Sequence, residues 1–194
     1  RQRQMCIRDS KLMSQLKVNS IVPVGGLPSG ASGGGVIQTV SVFKGDVFTT
    51  TSATLVDITG FALTITPSSN SSKILIISTC GWSNNSNTVA FASFQLVKVV
   101  GGTASNIATP DTSTTFGTTA SRTNPNSATG NTLNSWNYTF LDSPATTSAV
   151  TYKWQTQALS GSTLHINRRA LDSSGGTTND MQTTATITAL EVTN

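Results

Sequence analysis

From Val36 onward the chain repeats one pattern: short runs of alternating apolar and polar residues, each cut off by a cluster of Ser, Asn, Gly or Pro. The runs are "VIQTVSVF" (36–43), "TLVDI" (54–58), "FALTIT" (61–66), "KILIISTCGW" (73–82), "VAFASFQLVKVV" (89–100), "LNSWNYTFLD" (133–142), "SAVTYKWQTQAL" (148–159), "TLHINR" (163–168) and "QTTATITALEV" (182–192). The breakers include "PSSNSS", "SNNSN", "GG", "DSPATT", "SGS" and "DSSGG". Alternation with period two is the signature of half-buried strands, and such clusters supply turns. No helical period of useful length competes with it. About nine strands in this length predict an all-β, jelly-roll-like antiparallel β-sandwich.

The faces of these strands give the core. Trp136, Tyr138 and Phe140 share one side of their strand, and Val150, Tyr152 and Trp154 share one side of the next. The two strands are expected to pair as a hairpin, with Ser143 and Pro144 suited to a type I turn between them. The aromatics then serve the core; the alternative, a sugar-stacking platform, needs flat rings left exposed at loop ends. Residues 73–82 differ, because Leu75 and Ile77 oppose Ile74, Ile76, Cys80 and Trp82. In residues 89–100, Phe91, Val97 and Val99 likewise oppose Phe94 and Leu96. A two-layer sandwich covers only one face of each sheet, so strands apolar on both sides call for a second chain. Cyclic closure of three copies, a homotrimer, would cover that face without open-ended assembly.

Composition narrows the class further. Ser, Thr and Asn make up more than a third of the residues, while 36% are hydrophobic and 10% charged. Recurrent Val, Ile, Phe and Trp argue against disorder and for a folded domain with a hydroxyl-rich surface. The net charge of +4 is concentrated at the start: Arg1, Arg3, Arg8 and Lys11 stand against Asp9, leaving eight basic and seven acidic residues from position 13 on. No basic stripe follows, so nucleic acid is not an expected partner. Residues 1–12 contain "MCIRDS" (5–10), which resembles a translated sequencing-adaptor end, and are set aside as an artefact with Met13 as the expected natural start. Cys80 is then the single cysteine, without a disulfide partner. No signal peptide or apolar run long enough for a membrane span follows, so synthesis in a cytoplasm and no membrane insertion are expected. Residues 13–35 divide into a short strand, Leu16–Val22, and a Gly- and Pro-rich linker, Pro23–Gly35, ahead of a head domain over 36–194. The strand either docks onto another protein or returns to the head's own sheet.

Chemistry is sparse. His165 lies opposite Leu164 and Ile166 and reads as a polar surface histidine; a metal shared by three copies at an axis would have one imidazole per chain. Asp46, Asp57, Asp111, Asp142, Asp172, Asp180 and Glu191 mostly sit near turns, and no two share a strand face, so a glycosidase pair could arise only through the fold. The glycines at 25–35 precede no helix, so they make no phosphate loop. No catalytic residue, metal or cofactor is therefore expected. Residues 101–132 form the longest stretch without a clear strand, either a binding loop or a solvated one. Asn84, Asn85, Asn87, Arg122, Asn124 and Asn126 are the candidate receptor-binding residues, offering adaptable hydrogen bonds to a sugar or protein.

"LKVNSI" (16–21), "ITPSSNSSKILI" (65–76), "FLDSPATTSAVTYKWQ" (140–155), "HINR" (165–168) and "TATITALEV" (184–192) together resemble tail-fibre-like virion proteins of tailed phages. The resemblance covers most of residues 13–194 in order, with 101–132 departing from it. It implies a jelly-roll head, a trimer, location in the virion and host attachment. Residues 16–22 would anchor to other virion proteins, and the head would meet a host cell-surface glycan or protein. The alternatives are a small polysaccharide depolymerase and a capsid decoration protein without host contact.

Overall fold

The computed structural model describes residues 35–85, 92–109, 121–123, 132–158, 161–172 and 180–192, with backbone alone at 121–123. Among these, the alternating runs become eleven strands: β1 (Val36–Lys44), β2 (Phe48–Thr50), β3 (Val56–Ile65), β4 (Lys73–Asn84), β5 (Ala92–Val100), β6 (Thr103–Ile107), β7 (Ser121–Thr123), β8 (Asn134–Asp142), β9 (Val150–Gln157), β10 (Leu164–Ile166) and β11 (Ala185–Val192). One sheet, A, has the order β1-β11-β4-β10-β2 with β8 on the other side of β4. The second, B, has the order β3-β9-β5-β6, with β7 also on β5. Every pairing is antiparallel.

Several of these strands are pieces of longer rows. β10 runs along β4 from Asn84 to Trp82, and β11 continues along the same strand from Thr79 to Lys73. The row is broken at Gly81, where the chain leaves on an excursion from Asn167 to Thr184. The Asn167 N–H donates to the Gly81 carbonyl at 2.8 Å, and the Thr183 N–H donates to the Asn167 carbonyl at 3.1 Å. Asn167 sits at φ 65°, the left-handed region that Asn tolerates better than most residues. β1 and β2 are likewise in line against β11 and β10, and β6 and β7 against β5. With each interrupted row counted once, sheet A reads 1-8-3-6 and sheet B 2-7-4-5 in chain order. First pairs with last, second with seventh, third with sixth and fourth with fifth. That is a jelly roll, one long hairpin wound upon itself.

The expected hairpin between residues 133–142 and 148–159 does not form. β8 pairs with β4 in sheet A, whereas β9 pairs with β3 and β5 in sheet B. The connection 143–149 is too long for a tight turn and crosses between layers instead. The aromatics therefore meet across the core rather than side by side. Trp136 of β8 stacks on Phe94 of β5 (centroids 4.3 Å apart) and meets the edge of Trp154 of β9 (4.7 Å). Trp154 also donates its indole N–H to Ser78 Oγ of β4 at 2.8 Å, tying the sheets together within the core. The core reading of these rings holds: Trp154 and Tyr152 are fully buried and Trp136 nearly so.

Other expectations shift in smaller ways. Residues 54–58 and 61–66 belong to one strand, β3, whose register slips between Asp57 and Ala62 at a bulge containing Gly60 (φ 78°). Residues 101–132, read as lacking strands, contain β6 and β7. β6 is a solvent-exposed edge strand without alternation, entered through Gly101–Gly102, both at positive φ as a two-residue hairpin turn requires. The proposed artefact (1–12), the anchor strand 16–22 and nearly all of the linker lie outside the described residues.

Gly81 marks a close approach that the excursion needs. A Cβ placed there would collide with the Thr183 methyl and crowd Leu133. Gly81→Ala is expected to lower stability to urea by about 1–3 kcal/mol. Thr183→Ser, which removes the obstructing methyl, should recover much of that loss in the double variant.

Candidate functional site

Winding eight rows into two sheets sorts the connections into two unlike ends. One end carries the connections 66–72, Gly101–Gly102 and 143–149, together with Val36 and Val192 at the outer limits of β1 and β11. The other end carries the connection 51–55, the ends of β4 (Asn84), β7 (Thr123) and β9 (Gln157), and the starts of β5 (Ala92), β8 (Asn134) and β10 (Leu164). Asn84 and Asn85 at the end of β4, and Arg122 on β7, thus come to the same end, although they are far apart in sequence.

Among the described residues, amide and hydroxyl hydrogen bonds tie the connections at the loop-bearing end. Asn85 and Thr163 clasp each other: the Asn85 N–H donates to the Thr163 carbonyl (3.1 Å), and Asn85 Oδ1 accepts the Thr163 N–H (2.7 Å). The Ala158 N–H donates to the Ser52 carbonyl (2.7 Å), and Ser52 Oγ folds its own turn by donating to the Thr54 carbonyl (2.7 Å). Asn85 is exposed, so its amide faces solvent while fixing two connections. Asn84 is only 3% exposed, which leaves it little surface to offer a ligand. Arg122 lies opposite Ser93 in the backbone register. Asn87, Asn124 and Asn126 lie outside the described residues.

At the opposite end two carboxylates turn inward. Asp142 is the next inward position of β8 after Trp136, Tyr138 and Phe140, and Glu191 continues the inward series Ala185, Ile187, Ala189 on β11. Both sit beside Ile74, one on each neighbouring strand. Alternation alone placed them there; reading aspartates as turn residues obscured it. Each is satisfied. Asp142 accepts from Tyr152 Oη (2.7 Å) and pairs with Lys98 Nζ (3.1 Å), and Glu191 Oε1 accepts the Ser68 N–H (2.6 Å) and Oγ–H (2.7 Å). Burial raises the Tyr152 hydroxyl's pKa, and Asp142 raises it further, so the phenol stays a donor. Burial pushes Glu191 up, but the serine hydrogen bonds outweigh it and hold the carboxyl below its ordinary value. Asp46 and Asp57 are also held low. The Lys44 hydrogen bond does so at Asp46; at Asp57, bonds from Lys153 and Gln155 overcome the opposing effect of burial.

His165 is not a surface residue. It does oppose Leu164 and Ile166, facing outward from sheet A, but it is 6% exposed. The start of the excursion lies over it: the Arg168 carbonyl accepts from Ser83 Oγ (2.8 Å), and Arg169 Nε pairs with Asp172 (2.6 Å). His165 Nδ1 contacts Thr49 Oγ1 at 3.1 Å. The covering residues, Arg168 to Asp172, follow directly in sequence, but they leave the strand, so alternation does not mark them. Cys80 is buried, and burial pushes its thiol pKa well up. Among the described residues no three His, Cys, Asp or Glu side chains gather as metal ligands, and no helix is long and apolar enough to cross a membrane. A small pocket of about 140 Å³ lies between Gly81, Leu133, Asn134, Ser135 and Thr183.

No family model matches the chain, and no curated protein matches it. Among solved structures it is similar to a chain in the structure of infectious bursal disease virus, Gx strain, at 12% identity and a TM-score of 0.38. The match covers 80% of this chain and 39% of that one, so this chain spans well under half the length of the viral one. That likeness is too loose to bear on function.

His165 is the sequence's one histidine, which gives a clean test of its burial. Burial, reinforced by the Arg168 charge and opposed by Asp172, holds its imidazole below the ordinary range. The unfolded chain then binds the proton more readily, so stability is fullest above the ordinary imidazole pKa of about 6.5 and falls as pH drops through it. Urea midpoints should decrease from about pH 7.5 to about pH 5.5, and His165→Asn should flatten that slope. The depressed carboxylates act at lower pH.

Proposed function

We propose that the chain is a virion structural protein, the tail-fibre-like head of a phage, which works as a homotrimer and meets the host surface through the loop-bearing end of its sandwich. The observation that carries this reading is the polarity of the jelly roll. Val36, the first residue of β1, lies at the end with the connections 66–72 and 143–149, whereas Asn85 and the backbone of Arg122 lie at the other. A head entered by the chain at Val36 and presenting the exposed amide of Asn85 at the opposite end suits attachment. The sequence resemblance to tail-fibre-like proteins supports the same reading.

Recognition would then rest on hydrogen bonds from Asn85, Asn87, Arg122, Asn124 and Asn126 to a glycan or protein, with residues 16–22 holding other virion proteins. Individual contacts of this kind are weak, and several copies on one particle multiply them through effective concentration. Catalysis is not part of the reading: Asp142 and Glu191 face the core with structural partners, and Asp57 pairs with Lys153. No cofactor is invoked.

The full-length protein is expected to bind host cells and to be competed by a free surface glycan identified on an array. Arg122→Ala combined with Asn124→Ala and Asn126→Ala should weaken binding roughly tenfold or more, since a few contacts dominate such interfaces. Undiminished binding would contradict the assignment of these residues. Absence of any cell binding would favour a decoration protein, and release of reducing sugar from host polysaccharide would favour a depolymerase.

A further inference from the structure

The two sheets differ on their outer faces. On sheet B the outward side chains of β3 and β9 include Asp57 and Lys153, which pair at 2.7 Å in the manner of an ordinary wet surface. On sheet A the half nearest Val36 is formed by β1, β4, β8 and β11, and its outward positions beyond Lys73 carry no Asp, Glu, Lys or Arg. Leu141, Leu75 and Leu190 lie side by side across three of these strands, and Ile77 sits in the next row between Thr139 and Thr188. Ile77 is 43% and Leu141 48% exposed. Farther along the same face the Arg168 carbonyl lies on Ser83 Oγ and His165 is buried. The apolar half is open.

We infer that this open half of sheet A is the surface through which copies of the chain meet. The inference deepens the trimer of the proposed function by naming its contact. Two features select a second copy as the occupant. A face without charge can meet the same face of neighbouring copies around a threefold axis, one edge of it against the other edge of the next, with no unpaired ion and no like-charge repulsion. Its size also fits. Four strand positions about 4.8 Å apart and about eight residues long at about 3.3 Å each span roughly 500 Å² in projection, the same order as the ~800 Å² per partner of a stable interface. β5 shows that the pattern is specific to β4: its outward Val97 and Gln95 are already buried within the single chain.

The test is the mass of the full chain in solution across a dilution series, by sedimentation, with far-UV circular dichroism and thermal melting to verify folding. Wild type should associate, with three copies as the limiting species. Ile77→Lys and Leu141→Lys should each weaken association roughly tenfold or more, because a lysine ammonium would be buried unpaired. Thr64→Lys, the same change on the outer face of sheet B, should not. If the lysine variants fail to fold, Ile77→Thr and Leu141→Thr keep strand propensity and should shift association in the same direction. A wild type that stays monomeric at its highest soluble concentration overturns the inference. If the lysine variants of such a monomer also melt lower, the chain's own residues 13–35 cover the face. Association untouched by any of the four variants also overturns it, since another surface would be responsible. Loss of cell binding by an intact oligomer would strike the attachment reading alone.

Discussion

β4 must satisfy two hydrophobic faces at once, and the rest of the molecule is arranged around that demand. Ile74 and Ile76 are fully buried, each contributing about 1.5–3 kcal/mol by leaving water. Fixing their direction fixes the opposite direction of Leu75 and Ile77, because side chains alternate along a strand. Inward, β4 receives the Trp154 indole at Ser78 and lies under the Trp136, Tyr138 and Phe94 rings. Laterally it is paired by β11, β10 and β8. Moving its register by one residue would turn all four aliphatic side chains over and leave the aromatic cluster without its floor.

Much of this architecture was legible residue by residue. Trp136, Tyr138 and Phe140 announced one face of β8, and Val150, Tyr152 and Trp154 one face of β9, through simple alternation. The partner of each strand was not legible. Neighbours in sequence were expected to pair, but a seven-residue connection crosses the sandwich, and pairing in a wound hairpin joins residues as distant as Val42 and Ile187. β2, β6 and β7 escaped notice because they are short or lie at sheet edges, where burial imposes no period. At the candidate site, alternation could have turned Asp142 and Glu191 inward. The clasp between Asn85 and Thr163 could not be seen, since topology alone brings these segments together, and the covering of His165 by residues 168–172 follows no strand period.

The same winding links stability to function. The ends of the chain's long rows are secured differently: carboxylates and serines close the end near Val36, and the Asn85 amide bonded to Thr163 holds the other among the described residues. Closing the first end with Asp142, Lys98 and Tyr152 ties β8 to β5 and β9 without exposing charge on the outer face of sheet A. Interruptions fall at defined points, opposite Gly81 of β4 in the row formed by β10 and β11 and at the bulge with Gly60 in β3, so the rows on either side keep their register. Length variation is thereby confined to connections, where a binding surface can change without disturbing the core.

The central claim is that the inner face of sheet A makes the fold and its open outer half makes the assembly. Hydroxyl-radical footprinting of the full chain, dilute and concentrated, reads this side chain by side chain. Labelling of Leu75, Ile77 and Leu141 should be strong in dilute solution and fall with concentration, while the outer face of sheet B labels equally in both. Unchanged labelling of these three residues at every concentration, or their protection in the dilute monomer, would contradict it.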